Sequence, residues 1–425
     1  MLGLLILIAP VNPGFLSNGE IATSITLDPP FLSVDNAWVD SLMNRMTLDE
    51  KIAQMIIVQA YSDKDKSHLE YLRKIVKKGG IVFFAGGPVR QAEMTNQLQE
   101  ASEVPLLIAM DAEWGLDMRL DSVIKYPRQM ELGAIRNNEL IYRLGQDIGL
   151  QLRDLGVHMN FAPVADINNN PLNPVINTRS FGEDRDDVSK KVISFFTGLH
   201  TQKILVTAKH FPGHGDTNID SHYDLPVLDF SRERLDSLEL FPFQQAVKNG
   251  LSGIMVAHLN VPSLDDREHR PTSLSGKIIT DLLRKEMKFK GLVVSDALNM
   301  KGVSNYFRSP EGEIEAVKAG NDIILMPTDV SKTISGISKA VRNGDIPVEQ
   351  IEASCTRILQ SKLWLGLDTI RPVHTSDLTK RLNARKYLSL RQDLAESAIT
   401  LIKNENQVIP LKDLKTLNLV SLNFG

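Results

Sequence analysis

A single cysteine in 425 residues, Cys355, excludes any disulfide within the chain. It falls in a stretch of helical periodicity, 351–364, and reads as a small core residue. Positive charge is missing from the N-terminal region, where the first Lys or Arg is Arg45. The apolar run from Leu2 to Ala9 therefore has no basic residue ahead of it, and it is far too short to cross a bilayer as a helix. It does match the core of an export signal. The expectation is a remnant of such a signal whose basic start lies upstream of Met1, which makes the protein periplasmic or extracellular; the alternative is an apolar tail on a cytoplasmic protein. A surplus of positive charge is absent from the chain as a whole. With a net charge of −4 and a pI near 6.2, a nucleic-acid-binding surface is excluded as a reading, and stable membrane insertion is not expected.

What is present is enough apolar residue for a large core: 42% hydrophobic against 24% charged. That composition fits one big domain plus a remainder. The densest chemistry lies in Lys209 to Thr217, KHFPGHGDT, followed by Asp220-Ser221-His222. Pro212, Gly213 and Gly215 keep this stretch from being a helix. The preceding run, Ile204 to Ala208, reads as a buried strand, so the charged groups are expected to begin where a strand ends. A loop rooted in a rigid strand can aim titratable groups, as acid/base chemistry requires. Alternative roles are a solvated connection, or metal binding by His210, His214, Asp216, Asp220 and His222. The helical spacing that converges two metal ligands is lacking, and no cysteine pair helps.

Short apolar runs recur at Gln54 to Gln59, Gly80 to Phe84, Pro105 to Met110, Val157 to Val164, Ile204 to Ala208, Gly253 to Ala257, Leu292 to Ser295 and Asp322 to Met326. Between them, helical patterns are expected at His68 to Lys78, Val89 to Ser102, Glu139 to Leu155, Asp187 to Gln202, Glu233 to Asn249, Ser275 to Lys288 and Gly312 to Ala319. Alternating strands and helices of this kind point to an α/β fold, a (β/α)8 barrel, in which parallel strands are near-continuous apolar runs. The domain boundaries expected are an N-terminal extension over 1–35, the barrel over 36–370, and a linker with the beginning of a second domain over 371–425.

The polar residues support the barrel independently. Asp111 follows LLIAM, Asp166 follows NFAPVA, Lys209 and His210 follow LVTA, His258 follows GIMVA and Asp296 follows LVVS. In a barrel these strand ends share one rim, so residues far apart in sequence converge on one pocket. Asp296, emerging from a buried strand, is placed to attack an electrophilic carbon, because a carboxylate is already ionised at neutral pH. In Asp220-Ser221-His222, a carboxylate near an imidazole can orient it and raise its pKa for proton donation. A nucleophile with a separate proton donor is the toolkit of a retaining glycosidase, here with a histidine in place of the second carboxylic acid.

The run KHFPGHGDT with DSH after it resembles glycoside hydrolase family 3, specifically its β-N-acetylhexosaminidase branch, and the order of motifs carries the resemblance over residues 36–367. Asp296 in SDALNM matches the nucleophile motif, which reads SDDLSM in relatives. Asp220 and His222 match the dyad that acts as acid/base in this branch. Asp111 and Arg119 in DAEWGLDMR, Arg179 in NTRSFGED, and Lys209 with His210 match the sugar-binding positions. The usual DxEGGxVxR is altered here by Trp114 and Asp117, which puts substrate choice in question more than reaction type. Trp114 either stacks on a sugar face or fills the barrel mouth.

The resemblance implies hydrolysis of terminal β-linked N-acetylglucosamine from cell-wall glycans, muropeptides or chitin fragments through a covalent glycosyl-enzyme, with no cofactor. Alternatives are a phosphorylase or β-glucosidase on the same barrel, or a non-catalytic sugar-binding module. Glu396 to Leu411 resembles the segment that leads into a second domain in longer members. Lys415 to Leu422 then reads as a lone strand, so the expectation is a fragment or truncated product. In the β-glucosidase branch the acid/base comes from that second domain, whereas the DSH loop lets the barrel act alone.

Overall fold

The computed structural model describes residues 27–76, 79–218, 220–221, 223–407 and 409–411. Both the Leu2 to Ala9 run and the strand-like Lys415 to Leu422 lie outside the described residues. Among the described residues nine strand segments occur in chain order: β1 (Ile56–Tyr61), β2 (Gly80–Ala85), β3 (Leu107–Met110), β4 (Met159–Asn160), β5 (Leu205–Val206), β6 (Ala208–Phe211), β7 (Gly253–Val256), β8 (Leu292–Ser295) and β9 (Ile324–Leu325). Every pairing between them is parallel. One sheet runs β5-β4-β3-β2-β1-β9 and the other β6-β7-β8. The two join at both edges. Ser295 N–H donates to Ile323 O at 3.0 Å, and Thr207 N–H lies 3.1 Å from both Asn160 O and Ala162 O. With β5 and β6 as one stave interrupted at Thr207, eight staves close into the expected (β/α)8 barrel.

Alternation along the staves fills both faces with apolar groups. Ile57, Val82, Leu107, Ala109, Met159, Leu205, Met255, Leu292 and Val294 share the cluster inside the barrel. Their neighbours Ile56, Val58, Ile81, Phe83, Ile108, Met110, Val206, Ala208, Ile254 and Val293 share the cluster between strands and helices. Burial on both faces explains why the sequence shows unbroken apolar runs rather than a half-polar alternation. It also sets the parity of the residues just beyond each strand. Two residues beyond Ala109 comes Asp111, and two beyond Val294 comes Asp296, both continuing an inward-facing row.

The expected helices are present, with differences that have local causes. The Glu233 to Asn249 pattern splits into Arg232–Ser237 and Phe241–Lys248, because Pro242 opens the second helix and lacks the N–H needed to continue the first. Ser275 to Lys288 becomes Lys277–Glu286 with π-type hydrogen bonding. A further helix, Val330–Arg342, was not expected; Asp329 caps it by accepting from Lys332 N–H. The largest correction concerns Lys209 and His210. They lie within β6 rather than on a loop behind it, because their buried polar groups find partners from other staves. Beyond residue 370, Leu378, Leu382, Tyr387, Leu390 and Leu394 join the outer core cluster of the barrel, and Gln151 Nε2 donates to Leu382 O at 2.7 Å.

Candidate active site

At the C-terminal ends of the staves lies a cavity of about 440 Å³ whose walls include Asp111, Arg119, Arg179, Lys209, His210 and Asp296. All six were expected from sequence, and the fold brings them together. Lys209, on β6 and almost fully buried, places its ammonium 2.7 Å from Asp111 Oδ1 and 2.7 Å from Glu113 Oε1. Arg119 Nη2 lies 2.6 Å from Asp111 Oδ2, and its guanidinium rests 4.6 Å from the centre of the Phe84 ring. Arg179 grips Glu113 with two bonds, Nη2 to Oε1 at 2.7 Å and Nε to Oε2 at 3.0 Å. Burial pushes the Asp111 and Glu113 carboxyls up, but Lys209 with Arg119 at the first, and Arg179 with Lys209 at the second, outweigh it and hold both well below the usual carboxylate range. An ammonium has three N–H groups, and two are spent on the carboxylates. Donor and acceptor thus stand side by side, the arrangement that holds a sugar hydroxyl.

Asp166 is not itself part of the cavity wall but positions His210 and His214, which are. Fully buried, it accepts from His210 N–H, from His214 N–H at 2.7 Å, and lies 2.7 Å from His210 Nδ1. His210 Nε2 lies 3.3 Å from Arg179 Nη2. Burial raises the Asp166 carboxyl, and His210, by charge and hydrogen bond, more than reverses the shift. His214 was expected only as a loop residue or metal ligand. Its Nδ1 meets Thr217 Oγ1 at 2.8 Å and its Nε2 meets Ser221 Oγ at 3.2 Å. Asp216 goes elsewhere, to Arg234 and Asn169. Among the described residues no three His, Cys, Asp or Glu side chains gather as a metal site.

His214 supplies a pH test of this packing. Burial, then the neighbouring His210, push its imidazole down to about 4 from 6.5. Below pH 6.5 the unfolded chain takes a proton that the native His214 refuses until about pH 4, so stability is lost as the pH falls through that window. Chemical denaturation should show that the drop in unfolding free energy from pH 7 to pH 5 is about 2 kcal/mol smaller in His214→Gln than in the unaltered chain. Equal drops would mean that His214 is protonated in the native state.

Asp296 follows β8 directly. Its N–H donates to Val256 O at 2.9 Å, and its Oδ1 accepts from Ala297 N–H at 2.8 Å, while Oδ2 has no hydrogen bond among the described residues. Burial raises this carboxyl, but His258, His210 and the Ala297 N–H outweigh it, so it is ionised at neutral pH. His258, at the end of β7, is fixed by Ser273 Oγ at 2.7 Å and Ala297 O at 3.0 Å. The carboxylate therefore faces the cavity with one oxygen fixed and the other available.

His222 lies outside the described residues. Asp220 is described and is not part of the cavity wall, but its neighbour Ser221 is. The loop is tied to the segment after Asp296: Gly302 N–H donates to Ser221 O at 3.3 Å, and Tyr306 Oη donates to Asp224 Oδ1 at 3.0 Å. A Cβ on Gly302 would lie 3.1 Å from Ser221 O, a tight contact that the two segments would have to relieve by moving apart a few tenths of an ångström. Trp114 lines the cavity and carries the Arg128 guanidinium 4.5 Å from its ring centre.

Residues 47–361 match the model of the Glycosyl hydrolase family 3 N terminal domain. "Beta-hexosaminidase A" of Pseudoalteromonas piscicida is 34% identical over 79% of this chain, which spans 61% of that relative's length. "Beta-hexosaminidase LpqI" of Mycobacterium tuberculosis is 30% identical over 83% of this chain and 92% of its own. The solved structure of a family 3 β-N-acetylglucosaminidase from Paenibacillus superposes with a TM-score of 0.77 at 35% identity, covering 85% of this chain and 70% of that one.

Proposed function

The chain belongs to glycoside hydrolase family 3, and from that premise we propose that it is a retaining β-N-acetylhexosaminidase, releasing terminal β-linked N-acetylglucosamine from glycans such as cell-wall or chitin fragments. The observation that carries the reading is the convergence of separate staves on one cavity: Asp296 from β8 with an available oxygen, opposite the hydroxyl-binding group of Asp111, Arg119 and Lys209. In the first step Asp296 attacks the anomeric carbon as the glycosidic C–O bond breaks, and His222, oriented by Asp220, gives its proton to the leaving oxygen. In the second, His222 takes a proton from water, the water oxygen bonds to the anomeric carbon, and the bond to Asp296 breaks. Lys209, His210, Arg119, Arg179 and Asp111 hold the sugar so that the reacting atoms stay in line. The Leu2 to Ala9 run supports a site of action outside the cytoplasm.

The test compares an aryl N-acetyl-β-glucosaminide with the matching aryl β-glucoside, with and without phosphate, on the chain and its His222→Ala variant. The expected result is cleavage of the N-acetyl substrate only, free sugar as product in both buffers, and turnover lower by about 100-fold or more in the variant. A sugar phosphate as product, preference for the glucoside, or undiminished turnover in the variant would overturn the corresponding part of the reading.

A further inference from the structure

The residues on either side of His222 are held by neighbouring segments. Before it, Asn170 Nδ2 donates to Asn218 Oδ1 at 2.8 Å, and His214 Nε2 meets Ser221 Oγ at 3.2 Å. After it, Leu228 N–H donates to Asn260 O and Asn260 N–H to Pro226 O, each at 2.8 Å, which ties the loop after β6 to the loop after β7. Between these anchors the chain meets the segment after β8. It runs so close to Gly302 that a Cβ there would lie 3.1 Å from Ser221 O, 3.3 Å from Asp224 O and 3.2 Å from the Cβ of His258. A turn later, Tyr306 Oη donates to Asp224 Oδ1 at 3.0 Å. The Tyr306 ring stacks on His269 of the loop after β7, 4.7 Å between centres with the planes 12° apart.

Core packing does not need the Tyr306 hydroxyl. The apolar contacts of this segment come from Val303, which is buried, and Phe307, which packs against the inner cluster, whereas Tyr306 is 38% exposed. Its N–H donates to Val303 O at 2.9 Å, so the turn that carries the ring is fixed without the hydroxyl. What the hydroxyl adds is the tie to Asp224, whose Oδ1 also accepts from Leu225 N–H at 2.9 Å. An acid gives up its proton only from within hydrogen-bond reach of the leaving oxygen, and a misplacement of about 1 Å can cost about 100-fold in rate. Asp296 and the Asp220-Ser221-His222 run follow different staves, so their separation has to be set by contacts between loops. Tyr306, on the same segment as Asp296, makes such a contact.

We propose that Tyr306 is a positioning residue: through Asp224 it clasps the loop of Asp220 and His222 to the segment that follows the nucleophile, and so sets the proton donor against the leaving oxygen. The proposal rests on the hexosaminidase reading and adds to it a residue that touches no substrate. Its effect falls on protonation of the leaving group rather than on sugar binding. Loss of the clasp is therefore felt where the leaving group needs a proton, and not where it departs unaided.

The test uses Tyr306→Phe, which removes the hydroxyl and keeps a ring on His269. In the first arm kcat/KM is measured on the β-linked N-acetylglucosamine disaccharide, whose leaving group needs a proton, and on a dinitrophenyl N-acetyl-β-glucosaminide, whose leaving group does not. The expected result is a loss of about 10-fold on the disaccharide and of less than about 2-fold on the dinitrophenyl glycoside. Asp224→Ala should reproduce this split, and the double variant should be no worse than either single one. Equal loss on both substrates, no loss on the disaccharide, or additive losses in the double variant would overturn the clasp and leave the hexosaminidase reading standing. In the second arm, which does not depend on turnover, amide hydrogen exchange is followed in the peptides spanning 220–228. Faster exchange there in Tyr306→Phe, with the barrel strands unchanged, is the expected result, and unchanged exchange would overturn the clasp whatever the activity. An unaltered chain that cleaves neither substrate would sink the hexosaminidase reading, and the clasp would then be decided by exchange alone.

Discussion

Asp296→Asn should lower turnover by about 10⁴-fold or more while sugar affinity stays measurable. Asp296 holds its place through its backbone N–H, which donates to Val256 O, and through Oδ1, which accepts from Ala297 N–H, and an amide of the same shape keeps the cavity intact. What the amide lacks is the charge. Burial alone would favour a neutral carboxyl at this position, and His258 and His210 offset it, so the site maintains an anion where a positive anomeric centre develops. An uncharged amide can neither stabilise that centre nor bond to it. Calorimetry with N-acetylglucosamine beside steady-state rates separates the two effects. Loss of binding together with rate would mean that the substitution collapses the cavity, and retained turnover would reject Asp296 as the nucleophile.

The second large effect is expected on stability. Glu113 is fully buried and is shared by Arg179 and Lys209 at 2.7 Å each. Replacement by Gln keeps the volume and removes the anion between two cations. Breaking a buried ion pair from one side costs about 3 to 5 kcal/mol, because the remaining charges are desolvated and unmatched. Glu113→Gln should therefore lose about that much unfolding free energy in denaturant titration. Asp111→Asn should cost less, since Asp111 lies nearer to solvent, with 13% of its side chain exposed against none for Glu113. A Glu113→Gln variant within about 1 kcal/mol of the unaltered chain would mean that Arg179 and Lys209 find other partners or water.

The barrel was legible because its staves are buried on both faces and so read as apolar runs. The six cavity residues were legible as polar groups at the ends of those runs, together with the family motifs. Glu113 escaped notice as a site residue although parity marks it: Leu107, Ala109, Asp111 and Glu113 form one alternating row. The extent of β6 was misread because Lys209 interrupts an apolar run, and the carboxylates that make a buried lysine tolerable, Asp111 and Glu113, are nearly a hundred positions away. Asp166 and His214 form a similar case. The contacts between Asp166 and the N–H groups of His210 and His214 span 44 and 48 positions, which no local pattern reveals. The break in the Glu233 to Asn249 helix, by contrast, was marked by Pro242 in the sequence itself.

The central claim, a glycosyl-enzyme on Asp296, is tested most directly by trapping it. A 2-acetamido-2-deoxy-5-fluoroglucosyl fluoride carries a good leaving group, and its ring fluorine disfavours the oxocarbenium-like transition state, so the intermediate should form and hydrolyse slowly. Mass spectrometry of the intact chain after this treatment should show addition of one sugar, located by peptide mapping to the segment containing Asp296. A chain that turns over N-acetyl-β-glucosaminides yet yields no adduct, or carries it on another residue, would contradict the account.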